Sequence, residues 1–329
     1  MNARQLYLTL LNLAPVFLLV ALGLALGAIA GHGRFLDPQN LLNILIQSSS
    51  TAIAAVGMTL VLLTAGVDLS VGNLMLLTAA VTGQLIVKGY SLPAAVAAGL
   101  IVGAAGGFVN GILITRLKLT PFIATLGTYF VMRGLGLWLT QTRQIRLPDE
   151  ITSLGASRPV GVPMPVIVLV LVCLAAHWFL KSTPWGRQVY AIGSDSVAAQ
   201  RAGIQVRPLL IFLYTLCGLC AALSALVAMS QTGAVSPSFG DRKELAAIAA
   251  AVLGGTSVFG GRGQVLPGTL LGALLFQTIE NGLVIMNASP LLYPMILSTV
   301  IFLAVLLDTF RSRLIEQLSQ RPIRRPDSA

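Results

Sequence analysis

Asp68, Arg133 and Glu280 are the residues best placed to do chemistry, because each stands where a charge is expensive. Asp68 lies in Thr64-Ala-Gly-Val-Asp-Leu-Ser-Val-Gly72, with no other acid between Asp37 and Asp149. Arg133 and Glu280 fall inside apolar runs, where ionisable groups are rare and usually paired. Asp68 has two readings. As a structural group, Asp68 or Ser70 caps the following helix by accepting hydrogen bonds from its free N–H groups, and a carboxylate suits the positive end of that helix. As a functional group, it is a fixed element lining a transport pathway. Gly66 and Gly72 give the turn its freedom. Arg133 is 12 residues past Pro121 and Glu280 is 13 past Pro267. At 1.5 Å per residue both sit roughly 20 Å from the inner ends of their helices. Equal depth makes them a candidate ion pair. In the competing arrangement Arg133 reaches the outer interface and Glu280 bonds Asn281 or Gln277.

Other chemistries find no constellation. His32 and His177 are far apart and fit no metal or triad spacing. Cys217-Gly-Leu-Cys220 matches C-x-x-C, but it sits in an apolar run without further ligands; with Cys173 it reads as small residues packed between helices. No nucleophile–base arrangement appears, and the phosphate-binding G-x-x-x-x-G-K-[ST] is absent. The chain is therefore read as no enzyme, with no catalytic residue, metal or bound cofactor.

Composition names the solvent that must surround these groups. Of 329 residues, 56% are hydrophobic and only 10% charged, against about a quarter charged in a soluble domain. Such a chain cannot cover its surface with polar groups, so lipid is expected around it. The net charge is +10. Its basic residues lie between apolar runs and in the tail, as topology charges do, and aromatics are only 6%. Nucleic acid is not an expected partner; membrane lipid is.

The expected fold class is all-α: a polytopic membrane protein of about ten helices. Spans are read near 13–31, 44–65, 70–88, 92–115, 121–140, 162–180, 209–230, 245–260, 264–286 and 291–308, each set by the roughly 20 apolar residues a crossing needs. Residues 1–308 form one transmembrane domain and 309–329 a basic cytoplasmic tail. With both termini cytoplasmic, thirteen Lys and Arg fall inside and seven outside, Arg242 and Lys243 among the latter. The positive-inside bias supports that orientation.

Short or broken helices are expected near 44–72 and 245–263. Gln47-Ser-Ser-Ser-Thr51 shortens one apolar run; Gly254-Gly255 and Gly260-Gly261 interrupt the other. Ala52-Ile-Ala-Ala55 and Ala247-Ile-Ala-Ala250 start an ungapped match that sets Gly66 opposite Gly261. Paired Gly-interrupted segments are the best sequence pointer to a transport pathway. Ser48, Ser49, Thr51, Thr59, Asn73 and Asn110 are its candidate lining, with hydroxyls and amides suited to uncharged polar solutes. Gly99, Gly103, Gly106, Gly107 and Gly111 read as a packing stripe.

The inner loop 181–208 contains Gly193-Ser-Asp-Ser-Val-Ala-Ala-Gln-Arg-Ala-Gly-Ile204. Ser194 or Asp195 caps a short helix, Ala198, Ala199 and Ala202 give it a small-residue face, and Gly203 ends it. This suits a protein-docking device.

Several stretches then carry a family resemblance: "VGMTLVLLTAGVDLSVG", "NGILITRLKLTPFIATLGT", "RGL", "GRQVYAIGSDSVAAQRAGI", "ELAAIAAAVLGGTSVFGGRG" and "FLAVLLD". In this order the chain resembles the permease subunits of ribose-type sugar ABC importers, which handle ribose, xylose, arabinose or galactosides. The resemblance implies a multi-pass protein of a bacterial plasma (inner) membrane with a second permease copy or paralogue. It also implies a cytoplasmic ATP-binding subunit, which would hold the ATP and Mg, and a periplasmic or extracellular sugar-binding protein. It implies alternating access, with Gly193, Ser194, Asp195, Ala198, Ala199 and Gly203 in the loop that docks on the ATPase. Asp195 stands where the family often has Asn, and Ala246 where it often has an acid. The rival class is a proton-coupled secondary transporter using Asp68 or Glu280 as carrier.

Overall fold

The computed structural model describes residues 19–28 and 35–319. Its helices are α1 (Leu19–Ala28), α2 (Pro38–Leu62), α3 (Val71–Val87), α4 (Leu92–Thr115), α5 (Pro121–Thr140), α6 (Asp149–Ala156), α7 (Met164–Ser182), α8 (Pro184–Ser194), α9 (Ser196–Arg201), α10 (Val206–Thr232), α11 (Lys243–Leu253), α12 (Leu270–Ile285) and α13 (Tyr293–Ser319). A two-residue ribbon pairs β1 (Ile145–Arg146) with β2 (Ala234–Val235). The architecture is all-α. Among the described residues, α2, α4, α5, α7, α10 and the run Val265–Ile285 are long and apolar enough to cross a membrane; α1, α3 and Tyr293–Leu303 are shorter apolar helices. The expected first span, 13–31, is described only over α1, and the tail arginines Arg321, Arg324 and Arg325 lie outside the described residues.

The short or broken helices expected near 44–72 and 245–263 are present: α2 ends at Leu62 and residues 63–70 are not helical, and α11 stops before Gly254. The polar stretch 47–51 lies within α2, which runs 25 residues without interruption. Ser48 and Ser49 both donate to the Leu45 carbonyl, at 2.9 and 3.0 Å, so their hydroxyls are satisfied within the helix. Asp37 caps it by accepting from the Gln39 N–H, and Pro38 opens it. The expected span 245–260 is helical only over α11, eleven residues. That is about 16 Å, half of a hydrocarbon core of about 30 Å.

α2 is the buried axis, packed by α7, α10, α11 and α12. α4 lies along α10 through a glycine seam. A side chain on Gly103 would strike Ala222, one on Gly107 the Tyr214 carbonyl, and one on Gly111 the backbone of Ile211. The four-residue spacing puts these glycines on one face, where backbones approach closely in lipid. Gly107→Val is expected to cost about 1–3 kcal/mol through overpacking against rigid backbone, read as a lower thermal unfolding midpoint in detergent. Gly127→Val is the control, because nothing lies within 4 Å of its added carbon.

Candidate translocation and coupling site

The segment between α2 and α3 is folded back into the bundle. Asp68 is fully buried. The Ser70 N–H donates to Asp68 Oδ1 at 2.9 Å and the Ser70 hydroxyl at 2.6 Å. Asn110 Nδ2 of α4 donates to both carboxylate oxygens, at 3.2 and 3.4 Å, and to Ser70 Oγ at 2.8 Å. Thr128 of α5 donates to Asn110 Oδ1 at 2.6 Å. Tyr214 of α10 donates to the Val67 carbonyl at 3.4 Å. Asp68 thus ties α3, α4 and α5 together. It braces the N–H of Ser70, the residue flanking α3, whereas the Ser70 side chain makes no capping bond to the first turn. Its hydroxyl is committed to the carboxylate instead.

A second polar centre lies near the middle of the bundle and was not legible as such. After β2 the chain runs without helix from Ser236 to Arg242. It descends along α3: a side chain on Gly83 would meet Val235, and one on Gly72 would strike the Gly240 carbonyl and the Glu244 carboxylate. Lys243 then donates to Thr51 at 3.0 Å, and Thr51 is midway along α2. At that level Ser50 and Ser224 bond each other at 3.0 Å, and Ser224 reaches Met75 of α3. α11 therefore begins at mid-depth, with its free N–H groups and positive end there. Glu244 sits in that first turn, as the dipole favours, and its Oε2 is buried with no hydrogen-bond partner among the described residues. Ser238, Asp241 and Arg242 are exposed. Irregular backbone with polar groups at membrane depth must face water or protein, not lipid.

This descent overturns the expected Arg133–Glu280 pair. Arg133 donates to Asp241 at 2.6 Å, because residues 241–243 enter the bundle instead of forming an outer loop. The amides beside Glu280 are also engaged with α2: Gln277 donates to Gln47 at 3.2 Å, and Asn281 and Asn40 exchange bonds of 3.0 Å.

The two helix breaks meet each other and the inner loop. The Gly261 N–H donates to the Leu63 carbonyl at 2.9 Å. A side chain on Gly193, in the last turn of α8, would strike that same carbonyl and the Gly261 nitrogen; one on Gly260 would come within 2.7 Å of the Gly193 carbonyl. Gly260 and Gly261 have φ of 84° and 70°, a region open to glycine at little cost. Gly66, opposite Gly261 in the sequence match, packs against Tyr214 and Val61. Tyr190 of α8 donates to the Gly263 carbonyl at 3.1 Å. Burial raises its phenol above the ordinary value, so it stays a donor through neutral pH. Asp195 caps α9 by accepting from Val197 and Ala198 N–H, both at 2.9 Å. Ser194 instead donates to the Tyr190 carbonyl at 2.9 Å. Ala199 is buried, Ala198 is exposed, and Gly203 ends the helix at φ 85°.

The expected lining residues are dispersed, not gathered. Thr51 joins Lys243, Asn110 joins Asp68, Thr59 and Thr269 bond at 2.7 Å, and Asn73 donates to the Tyr129 carbonyl at 3.1 Å. Only Thr51 touches the mid-depth centre directly; Asn73 lies on the first turn of α3 beside Gly72.

Comparison with known proteins identifies the architecture. The family model described as "Branched-chain amino acid transport system / permease component" matches residues 40–306. A ribose import permease protein of Escherichia coli K12 is 41% identical over 280 residues, covering 84% of this chain and 87% of that protein. A fructose import permease protein of Rhizobium meliloti is 38% identical, covering 89% and 84%. A D-allose transport system permease protein of Escherichia coli K12 is 34% identical, covering 90% and 91%. No solved structure matches the chain. By this coverage, the chain belongs to the family of membrane permease components of transport systems.

Proposed function

We propose that the chain is the transmembrane subunit of an ATP-driven importer for a monosaccharide or sugar-like polyol in a bacterial inner membrane. Its relatives' named sugars carry this reading, since three sugar permeases align over most of the chain. The mid-depth centre supports it chemically. Ser236, Ser238, Thr51, the α11 N–H groups and the Arg133–Asp241 pair offer donors and acceptors without a large net charge, which suits hydroxyls better than a single ion. The family description also covers branched-chain amino acids, whose apolar side chains find little complement there.

The mechanism is alternating access. A soluble binding protein delivers the sugar to the outer face, and Ser236–Arg242 with the α11 N-terminus forms the element it passes. ATP and Mg bind a separate cytoplasmic subunit, which docks on α8–α9. Gly193, Gly261 and Leu63 join that loop to both helix breaks, so movement of α8 shifts them together. Two permease copies enclose the pathway. Both termini are cytoplasmic; with Arg242 and Lys243 removed from the outer count, the positive-inside bias strengthens.

Vesicles containing the permease, its ATPase and its binding protein are expected to take up at least one of ribose, fructose or allose only with ATP. Leucine uptake without sugar uptake, or sugar uptake driven by a pH gradient without the ATPase, would contradict the proposal. Arg133→Gln and Asp241→Asn are each expected to reduce uptake several-fold, and the double variant no more than either alone, because each single change already breaks the pair. Additive losses in that cycle would show that the two side chains act separately.

A further inference from the structure

A groove of about 570 Å³ lies between the inner ends of α4 and α10. Phe108, Ile211 and Phe212 give it an apolar wall, and Arg116 and Arg207 stand along it. Arg116 follows the last turn of α4 and Arg207 is in the first turn of α10, so both mark the cytoplasmic edge in the proposed orientation. Both are exposed, and neither guanidinium makes a hydrogen bond or ion pair among the described residues. No carboxylate lines the groove. Two guanidiniums that lack an acid therefore flank an apolar trough at a lipid boundary.

We propose that this groove binds an anionic phospholipid of the inner leaflet, its phosphate between Arg116 and Arg207 and an acyl chain along Phe108, Ile211 and Phe212. Guanidinium is the side chain best matched to a phosphate, through its fork of donors. Basic pockets between helices on the cytoplasmic side are suited to anionic head groups. The apolar wall distinguishes a lipid from free phosphate, which would gain nothing from Phe108 or Phe212. The site rests on the orientation proposed above, but not on the transported substrate. It lies at the inner end of the α4–α10 seam, one turn from Gly107 and Tyr214, so an occupied groove would buttress the helix pair that holds Val67 and Asp68.

The test is native mass spectrometry of the full chain released from nanodiscs containing equal phosphatidylglycerol and phosphatidylcholine. The wild type is expected to retain phosphatidylglycerol preferentially. One basic residue at an anionic surface contributes about a fivefold preference, so R116Q/R207Q should lose roughly 25-fold. R116K/R207K should keep most of the selectivity, and its size-exclusion profile controls for folding. Phe212→Ser should weaken retention without changing head-group preference. Equal retention of both lipids by the wild type would overturn the site. So would unchanged selectivity in R116Q/R207Q, or complete displacement of phosphatidylglycerol by inorganic phosphate. Loss of ATPase co-purification in R116Q/R207Q with lipid selectivity intact would assign the groove to the partner subunit and equally overturn it.

Discussion

Gly193→Val is expected to lower transport about tenfold or more while leaving the ATPase bound. Its side chain would enter the space held by the Leu63 carbonyl and the Gly261 nitrogen. Both are backbone groups in tight turns, so neither yields by a rotamer change. The contact between α8 and the two breaks must therefore open. α9 is not displaced by this change, because its cap on Asp195 is local, so the docking surface persists. Coupling energies between sites typically correspond to 5–150-fold. Transport per ATP hydrolysed should fall by a factor in that range, about tenfold or more. Co-purification of the ATPase and ATP-dependent uptake, measured on the same preparation, separate uncoupling from failed assembly. Normal uptake by Gly193→Val would mean that the convergence of the breaks on α8 has no role in coupling.

Asp68→Leu is expected to cost more stability than any other substitution in the α3–α5 region. It would leave the Ser70 N–H and the Ser70 hydroxyl without their acceptor and Asn110 Nδ2 with Ser70 Oγ alone, and each buried orphan costs about 1–3 kcal/mol. The total loss is about 3 kcal/mol or more, even if some donors find new partners. Asp68→Asn behaves differently. Its amide oxygen still accepts from Ser70, and only the Asn110 contact to Oδ2 turns into donor against donor. The Asn variant should keep its thermal midpoint within a few degrees and most of its transport. A well-assembled Asn variant without transport would show that the negative charge itself acts on the solute or on protons.

The parts of this fold that were legible in the sequence are those that lipid alone dictates. α4 and α5 occupy the spans read at 92–115 and 121–140, because a long apolar run with proline at its start has few alternatives. The start of α2 was readable too: Asp37 followed by Pro38 is an N-terminal signal, but the apolar count placed the span at 44–65. The descent of 236–242 was not readable. Ser-Pro-Ser-Phe-Gly-Asp-Arg has the composition of a water-exposed turn, and its depth is fixed by tertiary contacts, Gly240 on Gly72 and Lys243 on Thr51. The Arg133 partner was missed for the same reason. Periodicity gives depth only for helical residues, so it ranked Glu280 and ignored Asp241. The short apolar run of α11, closed by Gly254-Gly255, was the available hint that this helix does not cross alone.

In the proposed transporter Ser236–Arg242 and the α11 N-terminus line an aqueous route at mid-depth. Thiol accessibility tests it most directly. Cys173, Cys217 and Cys220 are buried, so Ser238→Cys can be compared with Phe130→Cys, which sits on an exposed apolar face of α5. A charged, membrane-impermeant thiol reagent acts on the hydrated thiolate. Ser238→Cys is expected to be modified in the assembled transporter, at a rate that changes with ATP and with the binding protein, while Phe130→Cys is not. A Ser238→Cys thiol as inert as the Phe130→Cys thiol in every nucleotide state would contradict it.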